Sequence, residues 1–416
     1  MSAYGIERDE VCRPIESTLS SLFTGQSVPL SIQKIICGYL CSSVGKKFPC
    51  LTVQSAELLV RERASLVAGD AHFGEMKIAI TSLYLPSGSK IGVGYVVHAL
   101  ANQLVSRGHE VTVFSGCGPS EGALYETQWI APRARMSTFG FALDLRRVDF
   151  SGFDVLNAHG DDWFLWGRKR PRHIHTFHGS CFAEMLHSAN VKRGLRMAML
   201  AACEWSPVFL ADVRTAVSGA TRRFVPRIEH IIPNGVDTRA FAPAPFRETP
   251  EHPTILFVGS LYGRKRGDLL IKIFREQVLP RVPNARLCGV CDPPADARPE
   301  SEEWTGRLSQ EELIERFRWA DVFCLPSSYE GFGVPYIEAM AAGLPVVASP
   351  NDGAREVLRE GKDGILSRDE ELGENLVRLL QSADERKMWR ERGLERARDF
   401  DWERVTDQYL ALYQQG

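Results

Sequence analysis

The sequence lacks the features that define several common protein classes. No stretch reaches the roughly 18 uninterrupted apolar residues of a membrane-spanning helix. The first residues are acidic and polar, so they do not match a secretory signal. The 50 basic and 52 acidic residues nearly cancel, leaving a net charge of -2, which argues against a dedicated nucleic-acid binder. We therefore expect a cytoplasmic protein that binds no nucleic acid.

The ten cysteines do not indicate a disulfide framework or a metal site. In a chain of 416 residues with no export signal, we expect reduced thiols. Cys288 and Cys291 have CxxC spacing, but no second pair has the spacing that a four-ligand zinc site needs. We interpret this segment as a buried strand running into a turn and expect no bound metal.

The composition, with 44% hydrophobic and 25% charged residues, is that of a globular protein. From residue 76 onward, short apolar runs alternate with helical patterns. Strands are predicted at 77–84, 110–115, 154–159, 173–178, 214–218, 254–260, 285–291, 322–327, 345–349 and 364–367. Helices are predicted at 95–107, 268–277, 310–319 and 336–342. This alternation predicts an α/β fold with doubly wound parallel sheets.

A proline-rich stretch at 231–253 divides the α/β pattern into two halves of similar size. The predicted segments are an extension at 1–75, an N-terminal domain at 76–233, a linker at 234–253, a C-terminal domain at 254–397 and a final helix at 398–416. We interpret the extension as disordered or as the product of a wrongly chosen start codon. Because ligands bind beyond the C-terminal ends of parallel strands, we expect the active site in the cleft between the domains.

The clearest motif spans Glu330 to Glu338. Gly331 and Gly333 form a loop after a predicted strand, and Pro335 suits the first turn of the following helix. A glycine loop that leads into a helix N-terminus is a ready site for an anion such as a diphosphate. A carboxylate one turn into the helix can accept hydrogen bonds from sugar hydroxyls. The alternative is that Glu338 caps the helix or pairs with a neighbouring cation.

Three consecutive cations, Arg264, Lys265 and Arg266, stand at the start of the helix predicted near residue 268. Positive charge at a helix N-terminus opposes the helix dipole, so this placement makes sense if an anion neutralises the cations. The alternative is an exposed basic turn.

In the first half, Gly92 and Gly94 precede a predicted helix. The third glycine of a dinucleotide fingerprint would fall at residue 97, which is valine, so a nicotinamide cofactor is not expected. His159 and His178 end predicted strands at positions that can face a ligand, although a histidine at a strand end is often structural.

Together and in this order, six segments resemble the retaining nucleotide-sugar glycosyltransferases of family 4, which have the two-domain GT-B fold. The resemblance covers about residues 76–416. The segments are 92–94 with 100–115, 176–179, 232–237, 258–261 with 264–265, 305–308 and 330–338.

The resemblance implies catalytic roles for His178 near the reacting carbon, Lys265 on the diphosphate and Glu330 facing the donor sugar. It implies that Glu338 binds the ribose. The donor-binding residues that it implies are Gly92, Gly94, Arg264, Gly306, Arg307, Leu308, Gly331, Phe332, Gly333 and Glu338. Many relatives have arginine where this chain has Ser260, and Arg264 or Arg266 is the candidate replacement.

The implied activity is retaining transfer of a hexosyl group from a UDP- or GDP-linked sugar to a glycan, a lipid-linked molecule or a small molecule. The implied reaction needs no metal or other cofactor. The alternatives are a nucleotide-sugar epimerase on the same fold and a non-catalytic sugar-binding scaffold.

A basic surface is predicted in the first half. Lys192, Arg193 and Arg196 fall within an arc of about 100° on a helix, and more cations occur at 168–172. These cations can hold an anionic membrane, which would place the protein at the inner membrane face and favour a lipid-linked acceptor. The alternative is the solvated face of a soluble enzyme.

Overall fold

The computed structural model describes residues 74–87, 92–131, 137–186 and 191–415. The predicted extension at 1–75 therefore lies, except for its last two residues, outside the described residues.

The first half of the described chain forms a seven-stranded parallel sheet. Its strands are β1 (Lys77–Ser82), β2 (Glu110–Ser115), β3 (Glu126–Trp129), β4 (Val155–Ala158), β5 (Arg172–Phe177), β6 (Val213–Ala216) and β7 (His230–Ile231). Their order across the sheet is β3-β2-β1-β4-β5-β6-β7. The central strand β1 pairs Ile78 with Val111 on one side and with Val155 on the other.

The helices of this half are α1 (Gly92–Ser106), α2 (Ser137–Leu145), α3 (Cys181–Leu186) and α4 (Val191–Leu210). Helix α1 buries Val97, Leu100 and Leu104, the helical spacing that places one face on the sheet. The prediction that this helix begins at residue 95 was wrong. It begins at Gly92, so Gly92 and Gly94 lie in its first turn and not in a loop before it.

The second half forms a six-stranded parallel sheet. Its strands are β8 (Thr254–Val258), β9 (Arg286–Val290), β10 (Glu302–Trp304), β11 (Val322–Leu325), β12 (Val346–Ala348) and β13 (Ile365–Leu366), in the order β10-β9-β8-β11-β12-β13. Its helices are α5 (Gly267–Ile273), α6 (Gln310–Trp319), α7 (Val334–Ala341), α8 (Asp352–Val357), α9 (Asp369–Gln381) and α10 (Ala383–Ala397). Each sheet therefore shows the strand reversal of a doubly wound fold, which confirms the predicted fold class.

All ten predicted strands exist, with ends that differ by at most two residues. Three further strands were missed. Strand β3 has no fully buried residue, β7 has only two residues, and β10 has three. Each of the three lies at the edge of its sheet, where a short or exposed strand leaves little apolar signal in the sequence.

The last helix, α11 (Trp402–Tyr413), packs against α1 of the first half. The Tyr413 hydroxyl accepts a hydrogen bond of 2.7 Å from the Asn157 side chain in β4. Gly235 lies against the Trp402 ring, where a Cβ atom would come within 2.3 Å of the ring. The chain thus crosses between the two halves a second time, and α11 fixes the C-terminal end of the chain to the N-terminal sheet.

Candidate active site

The loop between β11 and α7 carries the strongest sequence motif. Gly333 ends this loop with φ +95°, a left-handed conformation that favours glycine, and a Cβ atom there would lie 2.4 Å from the Tyr336 ring. Pro335 occupies the first turn of α7, as predicted. The loop can therefore turn sharply and start helix α7.

Glu330, in the middle of this loop, is only 5% exposed and is surrounded by donors. Its carboxylate lies 2.8 Å from the Arg264 guanidinium and 2.8 Å from the Lys265 ammonium, and it accepts a hydrogen bond of 2.6 Å from the Ser327 hydroxyl. Burial acts to raise the pKa of Glu330, but Lys265 and Arg264 outweigh it and hold that pKa below its ordinary value. Glu330 is therefore a buried, ionised carboxylate held between two cations.

The position of Lys265 explains why residue 259, directly after β8, is a glycine. The stem of Lys265 crosses over Gly259, where a Cβ atom would lie 3.1 Å from the lysine Cγ. Glycine at the end of β8 thus leaves the space through which the ammonium reaches Glu330. Burial lowers the pKa of Lys265, and the Glu330 carboxylate opposes that shift.

Of the two candidate replacements for the cation missing at Ser260, the structure brings only Arg264 to the site. Arg264 also donates to the Tyr329 carbonyl, at 3.0 Å. Arg266 instead pairs with Asp369 at the start of α9. A ligand at the glycine loop therefore meets Arg264 and Lys265, two cations from one short 3₁₀ turn.

Glu338, on α7, differs from Glu330 because no described residue hydrogen-bonds to its carboxylate or forms an ion pair with it. It is partly buried. Burial raises its pKa to about 7, against the opposing effect of the Lys265 charge. A partly buried carboxylate with no protein partner is costly to ionise, which suits a group that receives its hydrogen-bond donors from a ligand.

The loop after β5 brings the first half of the chain to the same place. A Cβ atom on Gly331 would lie 2.7 Å from the His178 carbonyl oxygen, so the two loops touch through backbone. The His178 ring is held by His159, with 2.8 Å between His178 Nε2 and His159 Nδ1. Burial lowers the pKa of His178 to about 3 and that of His159 well below its ordinary value, so both rings are neutral near pH 7.

Residues beyond the motifs hold the glycine loop in place. Asn351, before α8, donates 2.9 Å to the Ser327 carbonyl, and its side-chain oxygen caps the helix. Farther along α8, the Glu356 carboxylate accepts hydrogen bonds from the Ser218 hydroxyl and the Gly219 N–H in the first half, at 2.5 and 2.9 Å. Sequence reasoning missed these supports, because their partners lie 24 to 138 residues away.

Gly92 and Gly94 lie in the first turn of α1, and their predicted donor-binding role stays a prediction. Gly92 is exposed and has no atom near its Cβ position. Gly94 is buried against the Leu85 backbone, 2.9 Å from where a Cβ atom would stand, so close packing of α1 explains this glycine.

The predicted donor-binding roles of the nucleobase segment, residues 306–308, and of Phe332 stay predictions. Gly306 has φ +68° and Arg307 is exposed, with Leu308 partly buried beside them. Phe332 is buried edge-on against the Phe400 ring, with 5.6 Å between centroids, so it packs the loop onto the segment before α11.

A second carboxylate centre, which sequence reasoning missed, lies in the first half. The Asp162 carboxylate is fully buried and lies 2.8 Å from His173 Nε2 and 2.9 Å from His175 Nδ1. Its three residues are all enclosed, so the cluster joins β5 to the loop after β4 and offers no open position to a ligand.

The residues of the CxxC are likewise structural: Cys288 is buried in β9 and Cys291 follows the strand, as predicted. The described helices include none with the length and apolar character to cross a bilayer.

Two parallel sheets whose loops meet around buried cations and carboxylates define a GT-B glycosyltransferase. Sucrose-phosphate synthase from Thermosynechococcus elongatus has the same fold, with a TM-score of 0.68 and 20% sequence identity over 82% of this chain and 99% of that one. Two glycosyltransferase family models match the chain in succession. The family model described as Glycosyltransferase Family 4 matches residues 91–240, and that described as Glycosyl transferases group 1 matches residues 252–382.

Relatives with an assigned activity include phosphatidyl-myo-inositol mannosyltransferases and a sulfoquinovosyl transferase of Arabidopsis thaliana, which is 30% identical over 41% of this chain and 37% of its own length. The enzyme of Mycobacterium leprae is 27% identical over 78% of this chain and 92% of its own length. The enzyme of Mycolicibacterium smegmatis is 30% identical, over 48% of this chain. This second match spans only 56% of the relative's length.

Proposed function

We propose that this protein is a retaining hexosyltransferase that moves a sugar, with mannose as the first candidate, from a nucleoside diphosphate to a lipid-linked acceptor. The observation that carries the proposal is the cluster of Arg264, Lys265 and Glu330 beside the unpartnered carboxylate of Glu338. The names of the relatives support the choice of mannose and of a phosphatidylinositol-type acceptor.

In this proposal the donor diphosphate lies against Arg264, Lys265 and the N-terminal N–H groups of α7. All three are positive, and all are fixed before the donor arrives. When the bond between the anomeric carbon and the diphosphate breaks, negative charge grows on the leaving oxygen. Preformed positive charge in a closed cleft favours that state over the ground state, and no metal ion is needed to supply it.

Positive charge grows on the sugar at the same time, as in other oxocarbenium-like transition states. The His178 carbonyl oxygen, to which no described residue donates a hydrogen bond, lies at the Gly331 loop and presents partial negative charge there. The acceptor hydroxyl attacks from the face that the diphosphate leaves. Its oxygen forms the new bond to the anomeric carbon while its proton passes to the leaving phosphate oxygen.

The test is to incubate the full chain with UDP- and GDP-linked hexoses, with and without phosphatidylinositol in detergent. We expect a glycosylated lipid whose new linkage keeps the anomeric configuration of the donor, as read by NMR. We expect the same rate after dialysis against EDTA.

Three other outcomes contradict parts of the proposal. An inverted linkage ends the retaining mechanism, and a rate restored only by added divalent metal ends the metal-free one. A nucleotide sugar converted to its epimer, with no transfer to the lipid, favours the epimerase alternative instead.

A further inference from the structure

His159 and His178, the two histidines of the candidate site, use their ring nitrogens differently. His159 follows β4 and His178 follows β5, and these strands are neighbours in the first sheet. The contact of 2.8 Å joins His159 Nδ1 to His178 Nε2, and the two ring centres lie 5.0 Å apart. One nitrogen of the His178 ring is therefore already engaged by the protein.

The other nitrogen of the His178 ring, Nδ1, is available to a ligand. No described residue hydrogen-bonds to it, and it is not enclosed. The side chain of His178 is partly exposed, whereas that of His159 is only 5% exposed. The backbone of His178 touches the Gly331 loop, so a ligand bound at the glycine loop lies beside this ring.

The His159 ring is buried with little to stabilise it. Its Nε2 is enclosed and has no described partner, and its one hydrogen bond to a described side chain is the contact with His178. The ring lies against Tyr409 of α11, with 6.4 Å between ring centres, and the backbone N–H donates 2.9 Å to the Thr81 carbonyl of β1. A buried imidazole with an unpaired nitrogen destabilises the fold relative to an apolar side chain of similar size. The contact with His178 therefore explains this polar ring better than stability does.

We infer that His159 is a positioning residue, which holds His178 Nε2 and leaves His178 Nδ1 as the ring atom that meets the ligand. In the proposed function, on which this inference rests, the ligand atom is a hydroxyl of the donor sugar. The contact fixes the His178 ring before the donor arrives, so less conformational entropy is lost when the donor binds. Either tautomer of the pair permits the sugar contact, because a hydroxyl both donates and accepts hydrogen bonds.

Asparagine and glutamine separate the two nitrogens of a histidine. The amide of asparagine lies near the position of Nδ1, and that of glutamine lies near the position of Nε2. His178→Asn therefore keeps the ligand contact and loses His159, whereas His178→Gln keeps His159 and loses the ligand contact. In titration calorimetry with GDP-mannose and UDP-glucose as probes, we expect His178→Asn to bind the nucleotide sugar about fivefold more tightly than His178→Gln. GDP and UDP, which carry no sugar, should bind the two variants equally.

The role of His159 is tested through His178. His159→Gln should weaken binding of the nucleotide sugar about threefold, whereas His159→Asn keeps a polar atom near the Nδ1 position and should bind as the parent does. In the His178→Asn background, whose side chain no longer reaches residue 159, His159→Gln should have no further effect. A histidine that only packs the sheet would cost the same in both backgrounds. If His178→Asn does not fold, the two His159 variants decide the question alone.

His98→Gln is the matched control. His98 Nδ1 also lies 2.8 Å from a partner, the Tyr125 hydroxyl, but this pair joins α1 to the segment before β3. The variant loses a hydrogen bond of the same length and should bind the nucleotide sugar as the parent does.

Two results would overturn the inference: tighter binding in His178→Gln than in His178→Asn, or an equal loss from His159→Gln in both backgrounds. The first would mean that Nε2 meets the ligand, and the second that His159 only supports the fold. Because binding is measured without acceptor, a protein that shows the expected pattern but transfers no sugar contradicts only the proposed function. A protein that transfers sugar but gives either of the two results contradicts only this inference. A parent protein that binds neither nucleotide sugar contradicts both.

Discussion

The two halves of the cleft contribute different kinds of group. The C-terminal half supplies formal charges, with Arg264 and Lys265 against Glu330 and with Glu338 beside them. The N-terminal half supplies neutral groups, the His159–His178 pair and a backbone carbonyl. Charge is costly to bury unless it is matched, so its concentration on one side marks where a charged part of the ligand binds. In the proposed function, the diphosphate binds on the C-terminal side, and the uncharged sugar and acceptor hydroxyls bind on the N-terminal side.

The largest expected effect comes from removing a charge on the C-terminal side. Lys265→Ala removes a charge-assisted contact worth about 1.5–3 kcal/mol, so kcat should fall about 10- to 150-fold. The effect on donor KM should be smaller, because diphosphate charge grows in the transition state. Lys272→Ala, on the exposed side of α5, is the control and should have little effect. Near-normal turnover in Lys265→Ala would show that the positive charge of the C-terminal half does not assist catalysis.

The next effect separates the two arginines that flank Lys265. Arg264→Ala should lower kcat/KM for the donor about tenfold, because Arg264 contacts the Glu330 loop. Arg266→Ala should leave kcat/KM nearly unchanged, because Arg266 pairs with Asp369 outside the cluster. Steady-state kinetics with the donor varied would compare them, and a larger loss in Arg266→Ala would reverse our assignment.

A smaller effect concerns the stability of the protein without donor. The pKa of Glu338 is raised from 4.5 to about 7 by burial, so the folded state binds a proton more tightly than the unfolded state does. Stability is therefore highest below the unfolded pKa and falls as pH rises toward 7. Glu338→Gln avoids that loss and should raise the free energy of unfolding at pH 8 by about 1–3 kcal/mol.

Urea unfolding at pH 8 and at pH 4.5 measures this difference, which should nearly vanish at the lower pH. A Glu338→Gln variant that is less stable than the parent at pH 8 would mean that the carboxylate has a protein partner after all.

The smallest expected effect is on the N-terminal side. Because burial lowers the pKa of His178 to about 3, the histidine pair should not change charge between pH 6 and 8. Any fall in donor affinity as the pH drops below 7 should come from protonation of Glu338. This fall should disappear in Glu338→Gln. A pH dependence that persists in that variant and disappears in His159→Gln would show that the N-terminal side also changes charge.

The sequence predicted the strands and the glycine loop because these are local patterns. The segment from Glu330 to Glu338 contains its own turn, helix start and carboxylates. The structure has the turn and the helix start where the sequence predicted them. The pairing of Glu330 with Arg264 and Lys265 joins residues about 65 positions apart, and spacing alone left an exposed basic turn as an equal alternative. That pairing depends on two parallel strands lying side by side, which only the folded sheet shows.

Helix α4 shows what a local sequence pattern cannot predict. Its apolar residues have helical spacing, a pattern typical of a face packed into a core. In the structure, Val191 and Leu195 point outward, while Leu200, Val208 and Leu210 are buried. Periodicity reveals that a helix has apolar sides but not which of them the rest of the chain covers. The basic residues were therefore noticed in the sequence, whereas the surface that they flank was not.

The most direct test of the difference between the two carboxylates is steady-state kinetics of Glu330→Gln and Glu338→Gln with the donor varied. Both changes keep the shape of the side chain and remove its charge. Glu338 should hold the ribose, which does not change during the reaction, so Glu338→Gln should raise the donor KM and keep most of kcat. In the proposed function Glu330 lies at the reacting sugar, and its carboxylate contacts both Arg264 and Lys265, so Glu330→Gln should bind donor but lower kcat. The reverse pattern, or the same change in both variants, would contradict the account.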